Sequence, residues 1–529
     1  MDEAMSHFCW RRRTLWLGVL FVLLIAAIPR LYAVKQMPAF VDEVYWILDG
    51  YEALQRWRSA DNAEDRWGPR ILRHPGIPAA VAGGLAESTR DISADRVNEN
   101  ERILVLARLG IVWTGVLCCV ALTLLGSRIY GLPTGLAAGS LLALSPHHVA
   151  NSAWLQCDSA LALFTMVSVL ALVLQVREGG SRWLLLSAVA AGLAVASKLP
   201  GLLLFAYLIG VYVIAYRAGG GACRRMSARS AVSEVAVWCL VATVTLYATW
   251  PRMWSNLLEP VDTLRWAASL GGGHINYFMG SIVDAPPWYY YLVVVPLSLS
   301  EIEFLGLLAG TVWLLVKIWR GEHLRRETLL VLGWALLFLV AMSLGGKKLG
   351  PRYLLPLWPV MALMLARLAM MLAPKIALLR RPVPMFLAAA CAVAALGSLV
   401  ATRGDFFAHA NQLLGGLAAM DRTTVVVGVA EGEVARLIDS LPHTGGMRVA
   451  GHLLSLQWHA RRRLEPTQCD GLDPQVAALP TTEYLIVMRY FEQRCPAYSP
   501  EALHDQGWRE VQSVVRGRVS LARIYKNRG

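Results

Sequence analysis

The chain has 529 residues, 56% of them hydrophobic and 16% charged, with a formal net charge of +13 and a mean hydropathy of +0.47. These values exclude a soluble globular domain and a disordered chain. The basic residues are grouped in short loops and not on one soluble face, so the charge reads as a topology signal rather than a nucleic-acid surface.

Eleven apolar segments follow one another, at about 14–34, 101–125, 133–150, 158–176, 182–197, 199–217, 231–249, 290–317, 328–344, 352–372 and 383–400, and predict a polytopic α-helical membrane protein. The first, "TLWLGVLFVLLIAAIPRLYAV", lacks a small-x-small cleavage site and reads as a retained helix. Within 290–317, "VVVPLSLSEIEF" predicts either one broken helix or a short interfacial helix before a span. Arg11, Arg12, Arg13, Arg128, Arg177, Arg182, Arg217, Lys317, Arg320, Arg325 and Arg381 fall on one side of this arrangement, which predicts a cytoplasmic amino terminus. Three longer segments then face the exterior: 36–100, 250–289 and the tail 401–529.

In the first of these, "EVYWILDGYEALQRW" has helical spacing and predicts an amphipathic helix, and "DRVNENERI" predicts a polar helix running into the second span. In the tail, "TTVVVGVA" and "EYLIVMRY" read as strands, "EGEVARLIDSLP" as a helix, and "REVQSVVRGRVSLARIYK" as one or two closing strands. The expected division is a transmembrane module over 1–400 and a small α/β domain over 401–529. Most of the nine cysteines lie in apolar runs, but Cys469 and Cys495 lie in the polar tail and would pair if it meets an oxidising compartment.

Ionisable residues gather at the exterior ends of the predicted spans. Asp42 and Glu43 follow the first span in "AFVDEVYWI", and "RHPG" holds His74. "SPHHVANSAWLQCDSA" holds His148 and Asp158, "SKLPG" holds Lys198, and "WPRMW" holds Arg252. "GGKKLGPRYLLP" holds Lys347, Lys348, Arg352 and Tyr353. Such residues beside apolar spans mark a functional cavity. Lys and Arg suit the oxygens of a lipid-linked phosphate, and would stabilise charge on a departing one. A carboxylate opposite them could take the proton of an acceptor hydroxyl as it attacks a sugar carbon. Adjacent residues point differently on helix or strand, so one of Asp42 and Glu43 faces the reaction. Asp42 is the candidate, with Glu43 orienting it or capping a helix. Plainer uses stay open: a helix cap for Asp42 or Asp158, snorkelling for Lys198, lipid head groups for Lys347 and Lys348, and pairing with Glu259 or Asp262 for Arg252.

Taken together, these motifs resemble the GT-C glycosyltransferases of the protein O-mannosyltransferase and aminoarabinose-transferase (glycosyltransferase 39) superfamily, bacterial branch. "DE" after the first span resembles their acidic motif, and "RHPG" their second first-loop motif. The Asp of "QCDSALALF" resembles their second acidic site, "SKLPG" their Ser-Lys-x-x-Gly turn, and "KKLGPRYLLPLWP" a Lys-Lys…Arg-Tyr-x-x-Pro signature. The resemblance implies a GT-C fold and transfer of a sugar from a polyprenyl-phosphate donor at the exoplasmic face of a bacterial inner membrane, with inversion. It implies Asp42 as base and Asp158 assisting at the acceptor or at a metal. Lys198, Lys347, Lys348 and Arg352 would surround the lipid phosphate, with Arg252 and Tyr353 as further candidates, and His74 and His148 would contact substrate. A divalent cation, Mg or Mn, would have Asp158 and His148 as candidate ligands, too few for a zinc site. Partners would be the lipid-linked sugar, membrane lipids and a glycan, lipid or protein acceptor. The chain departs from the pattern at Gly76, where the eukaryotic-type motif has a second Pro, and at Gly350–Pro351, where many relatives have an acidic residue before the Arg. A polyprenyl-linked ligase or phosphotransferase is the alternative enzyme. A transporter would place charges at mid-membrane and pair broken helices in two halves, which this sequence does not show.

Overall fold

The computed structural model describes residues 2–37, 39–58, 75–217, 227–269, 276–372, 393, 396–397, 400, 409–426, 430–442, 446–451, 453–467 and 482–527. Helices dominate up to residue 372. They are α1 (Asp2–Gln36), α2 (Val41–Arg58), α3 (Ile77–Glu87), α4 (Arg96–Tyr130), α5 (Leu132–Leu144), α6 (Pro146–Ala153), α7 (Asp158–Glu178) and α8 (Ser181–Ser197). They continue as α9 (Leu203–Arg217), α10 (Ala228–Thr249), α11 (Glu259–Ser269), α12 (Tyr290–Ser298), α13 (Glu301–Trp319), α14 (Arg326–Leu344) and α15 (Leu357–Leu372). Seven stretches among the described residues are long and apolar enough to cross a membrane, on α1, α4, α7, α9, α10, α13 and α14. Shorter apolar helices include α5, α8 and α15. The chain is a multi-pass helical membrane protein, as its composition predicts. The last expected span, 383–400, lies almost wholly outside the described residues.

Two expected spans are broken, each for a local reason. The segment 133–150 divides at Ser145 into α5 and α6, because Pro146 cannot continue a helix and instead opens the next one. The segment 290–317 divides after Ser298, where Leu299 is extended. Ser300 and Glu303 then form a capping box that starts α13. Both breaks fall at one end of the bundle and turn short helices toward the same space. At that end α4 outruns the bilayer: its 35 residues span about 52 Å at 1.5 Å each, against a hydrocarbon core of about 30 Å. Its polar first turns therefore project outward, as "DRVNENERI" predicts.

Helices α2 and α3 lie against each other through glycines. A Cβ at Gly50 would sit 2.0 Å from the Ala80 carbonyl oxygen, and one at Gly84 2.4 Å from that of Gly50. Only hydrogen at these positions allows the backbones to touch.

The tail carries a five-stranded sheet of β3 (Gly446–Ala450), β4 (Glu465–Pro466), β5 (Thr482–Met488), β6 (Trp508–Arg516) and β7 (Val519–Asn527), in the order β4-β3-β5-β7-β6. Strand β3 runs parallel to β4 and β5, and β7 is antiparallel to β5 and β6. Alternation places Tyr484, Ile486 and Met488 with Val434 and Ile438 of the helix Glu431–Ser440. Leu485 and Val487 pack on the other face with Tyr498, Leu503 and Trp508. Burial on both faces explains the unbroken apolar run of β5. The strand expected at "TTVVVGVA" is not found in its described part. Thr423 ends the helix Gly416–Thr423, and Thr424 makes an isolated bridge to Phe278 in the hairpin of β1 (Asn276–Phe278) and β2 (Ser281–Val283). That part of the tail pairs with this hairpin of the helical module instead of joining the sheet. Cys495 is disulfide-bonded, while its expected partner Cys469 lies outside the described residues.

The Gly50 contact generates a stability prediction. Gly50→Val should destabilise the detergent-solubilised protein by about 1–3 kcal/mol, read as a lower unfolding midpoint. Gly210→Ala, in open space on α9, should lower it by less or raise it.

Candidate functional site

The two adjacent acids that open α2 take different positions. Glu43 is fully buried and pairs with the equally buried Arg108 of α4, at 2.8 Å to Nε and 2.7 Å to Nη2. Its oxygens also accept the backbone N–H groups of Phe40 (2.9 Å) and Leu155 (2.7 Å). The Phe40 bond is the backward half of a capping box at the start of α2. Arg108 donates in turn to the carbonyls of Val34 (3.0 Å) and Met37 (2.7 Å) at the end of α1. One ion pair thus fastens the end of α1, the start of α2, the middle of α4 and the segment after α6.

That clamp points Asp42 the other way. Its carboxylate is about a third exposed and lines a cavity of about 320 Å³. Oδ2 accepts from Gln156 Nε2 at 2.8 Å and from both terminal nitrogens of Arg352 at 3.2 Å. Gln156 is itself held by Trp46 Nε1, which donates to its Oε1 at 3.4 Å.

Arg352 lies in the turn Pro351–Leu354 between α14 and α15. Its guanidinium is 5.8 Å from the Phe40 ring centroid, 5.3 Å from that of Trp154 and 5.5 Å from that of Tyr353, an aromatic collar that suits a cation. Burial works against its charge, but Asp42, Tyr353 and Asp158 outweigh burial and raise its proton affinity above the ordinary value. Lys198, in the turn after α8, forms a 2.6 Å ion pair with Asp158 and sits 4.2 Å from the Tyr353 ring centroid. Asp158 is the first residue of α7, where the helix dipole favours a carboxylate.

The basic dipeptide also divides. Lys347 is exposed and lines the cavity. Lys348 is buried, its ammonium donating to the carbonyls of Pro286 (3.0 Å) and Gly345 (2.6 Å), and burial lowers its pKa. Arg252 pairs with Glu259 at 2.7 Å, and neither it nor Lys348 is among the described cavity-lining residues. His148 is buried against Arg30, its Nδ1 2.6 Å from Nη2, away from the cavity wall, whereas His147 lines the cavity and stacks on Trp358. His74 lies outside the described residues. Asp158 and His148 therefore serve different partners, and among the described residues no group of three or more His, Cys, Asp or Glu gathers as a metal site.

Other cavity residues, Asn151, Trp154, Met420, Thr424 and Arg494 among them, were not singled out in the sequence. His147, Asn151 and Trp154 line it from α6 and its end, at i, i+4 and i+7, while His148 and Ser152 share the opposite face with Arg30. That periodicity was legible, but it is hidden if the segment is read as a loop between spans. The tail supplies His409, Met420, Thr424 and Arg494, which no local pattern reveals. Burial lowers the pKa of both His409 and Arg494.

Residues 90–259 match the family described as Dolichyl-phosphate-mannose-protein mannosyltransferase. The match contains Asp158, Lys198 and Arg252 but stops short of Asp42 and Arg352. No curated protein matches the chain. Among solved structures it is similar to ArnT from Cupriavidus metallidurans in the apo state, at 15% identity over 97% of this chain and 98% of that one, with a TM-score of 0.50. It is also similar to that protein bound to undecaprenyl phosphate, at 15% identity over 96% and 97% of the two chains and a TM-score of 0.48. A third likeness is to the archaeal oligosaccharyltransferase AglB from Archaeoglobus fulgidus, solved with an inhibitory peptide and a dolichol-phosphate: 12% identity over 91% and 72%, TM-score 0.44. The resemblance to the GT-C superfamily drawn from the motifs is borne out, and the fold is the GT-C fold.

The division of labour between the acids can be tested through stability. Arg108→Ala strands the buried Glu43 carboxylate and should cost about 3–5 kcal/mol, measured by unfolding in detergent. Asp42→Asn, at a partly exposed carboxylate, should change stability by far less.

Proposed function

We propose that this chain is an inverting glycosyltransferase that moves a sugar from a polyprenyl-phosphate donor to an acceptor at the exterior face of its membrane. The observation that carries this reading is the wall of one cavity: a partly exposed carboxylate, Asp42, beside the cations Arg352 and Lys347, with the Lys198–Asp158 pair just behind Tyr353. The description of the family matched over 90–259 names a dolichyl-phosphate sugar, and a dolichyl phosphate is a polyprenyl phosphate.

In this mechanism Asp42 accepts the proton of the acceptor hydroxyl as its oxygen attacks the anomeric carbon. The bond from that carbon to the phosphate oxygen breaks, its electron pair leaves with the phosphate, and configuration inverts. Arg352 and Lys347 hold the phosphate and stabilise the growing charge, with Lys198 next in line. Gln156 and the Glu43–Arg108 clamp keep Asp42 aimed. No step is routed through a metal ion.

The membrane sidedness is part of the proposal. At the bundle end opposite the cavity, Arg128 pairs with Glu178, and Arg177 donates to the carbonyls of Arg128 and Ile129, consistent with a basic cytoplasmic side. The disulfide at Cys495 supports an oxidising, exterior location for the tail.

Purified protein given a polyprenyl-phosphate sugar should release a polyprenyl monophosphate. Asp42→Asn should lower turnover by about 10²–10⁴-fold, and Lys347→Gln should raise the KM for donor more than it lowers kcat. Full turnover in Asp42→Asn would remove the base assignment. A product that carries the donor's phosphate would replace this reading with a phosphotransferase.

A further inference from the structure

The tail domain reaches the acidic motif through one side chain. The backbone N–H of Ala39 donates to His459 Nε2 at 2.7 Å, across 420 residues of sequence. Ala39 is fully buried and lies three residues before Asp42. An imidazole nitrogen that accepts a hydrogen bond carries no proton, so the ring proton is on Nδ1, which faces Glu101 Oε1 at 3.7 Å. The next amide, that of Phe40, is held by Glu43. Two consecutive amides before α2 are thus fixed, one by the helical module and one by the tail.

Docking of the tail does not depend on this ring. The helix Leu453–His459 is held beside it by Trp458 Nε1, which donates to the Asn100 carbonyl at 3.0 Å, and by Asn100 Nδ2, which donates back to the Trp458 carbonyl at 3.2 Å. Arg96 adds bonds to the carbonyls of Gln457 (3.2 Å) and Ala460 (2.7 Å). With its backbone anchored in this way, the His459 imidazole has a separate use at Ala39.

We propose that His459 is a positioning residue: the tail domain sets the place of the Asp42 carboxylate by accepting the Ala39 amide, and so takes part in turnover besides covering the cavity. This rests on the glycosyltransferase reading for its kinetic test, but not for its structural one. The His459–Ala39 bond fixes the strand of chain that carries Phe40, part of the collar around Arg352, and Asp42 itself. A shift of about 1 Å in such a group lowers rates by about 10²-fold.

The test uses the full chain in two variants. His459→Phe keeps a planar ring but cannot accept the amide; His459→Gln restores an acceptor oxygen. Hydrogen–deuterium exchange of residues 39–43 should rise in His459→Phe and return toward the parent rate in His459→Gln. Turnover should fall by about tenfold or more in the first and recover to within about threefold in the second, with exchange of residues 96–100 and 453–460, which hold the Trp458 contact, unchanged in both. Unchanged exchange in His459→Phe overturns the inference whatever the activity. Raised exchange with parental turnover, or equal loss in both variants with a loosened Trp458, reduces His459 to a packing residue and also overturns it. If no variant and not even the parent transfers sugar while the exchange pattern holds, the functional reading fails and the positioning contact stands.

Discussion

The site depends on the Glu43–Arg108 ion pair. Two opposite charges without access to water are costly unless every lone pair and proton is used, and here nearly all are. Glu43 takes two backbone amides besides the guanidinium, and Arg108 gives to two carbonyls at the end of α1. Those satisfied bonds lock four chain segments to one another. The same geometry forces the neighbouring residue outward, because successive residues of a helix start diverge by about 100°. One acid of the pair is spent on holding the place, which leaves the other a fixed position with solvent and substrate in front of it.

Much of the architecture was legible because it follows from composition and periodicity. The unbroken apolar runs among the described residues, the amphipathic helix after the first span, β5 and the β6–β7 hairpin are local patterns, and these were found where the sequence placed them. The breaks at Ser145 and Leu299 were less visible. A proline in an apolar stretch signals an interruption, but whether it ends a span or only kinks it depends on which neighbours satisfy the freed backbone groups. Within the site, residue types at one membrane rim pointed to Asp42, Arg352, Lys198 and Asp158, which the fold brings together. Which of two adjacent residues faces the cavity was decided case by case: Asp42 over Glu43, Lys347 over Lys348, His147 over His148. Helical phase separates the histidines. For Lys347 and Lys348 the choice rests on the carbonyls of Gly345 and of the distant Pro286, and no local rule contains the second.

The cavity is shared between two parts of the chain with different physical demands. The helical module answers to lipid, so its charged groups lie toward its ends or pair internally, as Glu43 and Arg108 do. The tail answers to water and builds its core from a mixed sheet. They meet through hydrogen bonds, Asn411 to the Leu297 carbonyl, Met279 to the Thr423 carbonyl and Tyr290 with Thr424, and through apolar contacts, with Leu297 in the tail core and Trp458 in the cluster of Val44 and Ile47. Such a seam holds orientation well, since each bond is directional, and it brings tail side chains such as Arg494 within reach of a chamber founded on α2.

The chamber wall draws on residues from Phe40 to Arg494, and that span has a consequence for biogenesis. A nascent chain emerges from its amino terminus, so the carboxylate and its clamp are made early and the enclosing wall nearly last. No truncated or half-inserted product owns a finished reaction vessel. Competence would therefore arrive in one step, when the carboxy-terminal part folds.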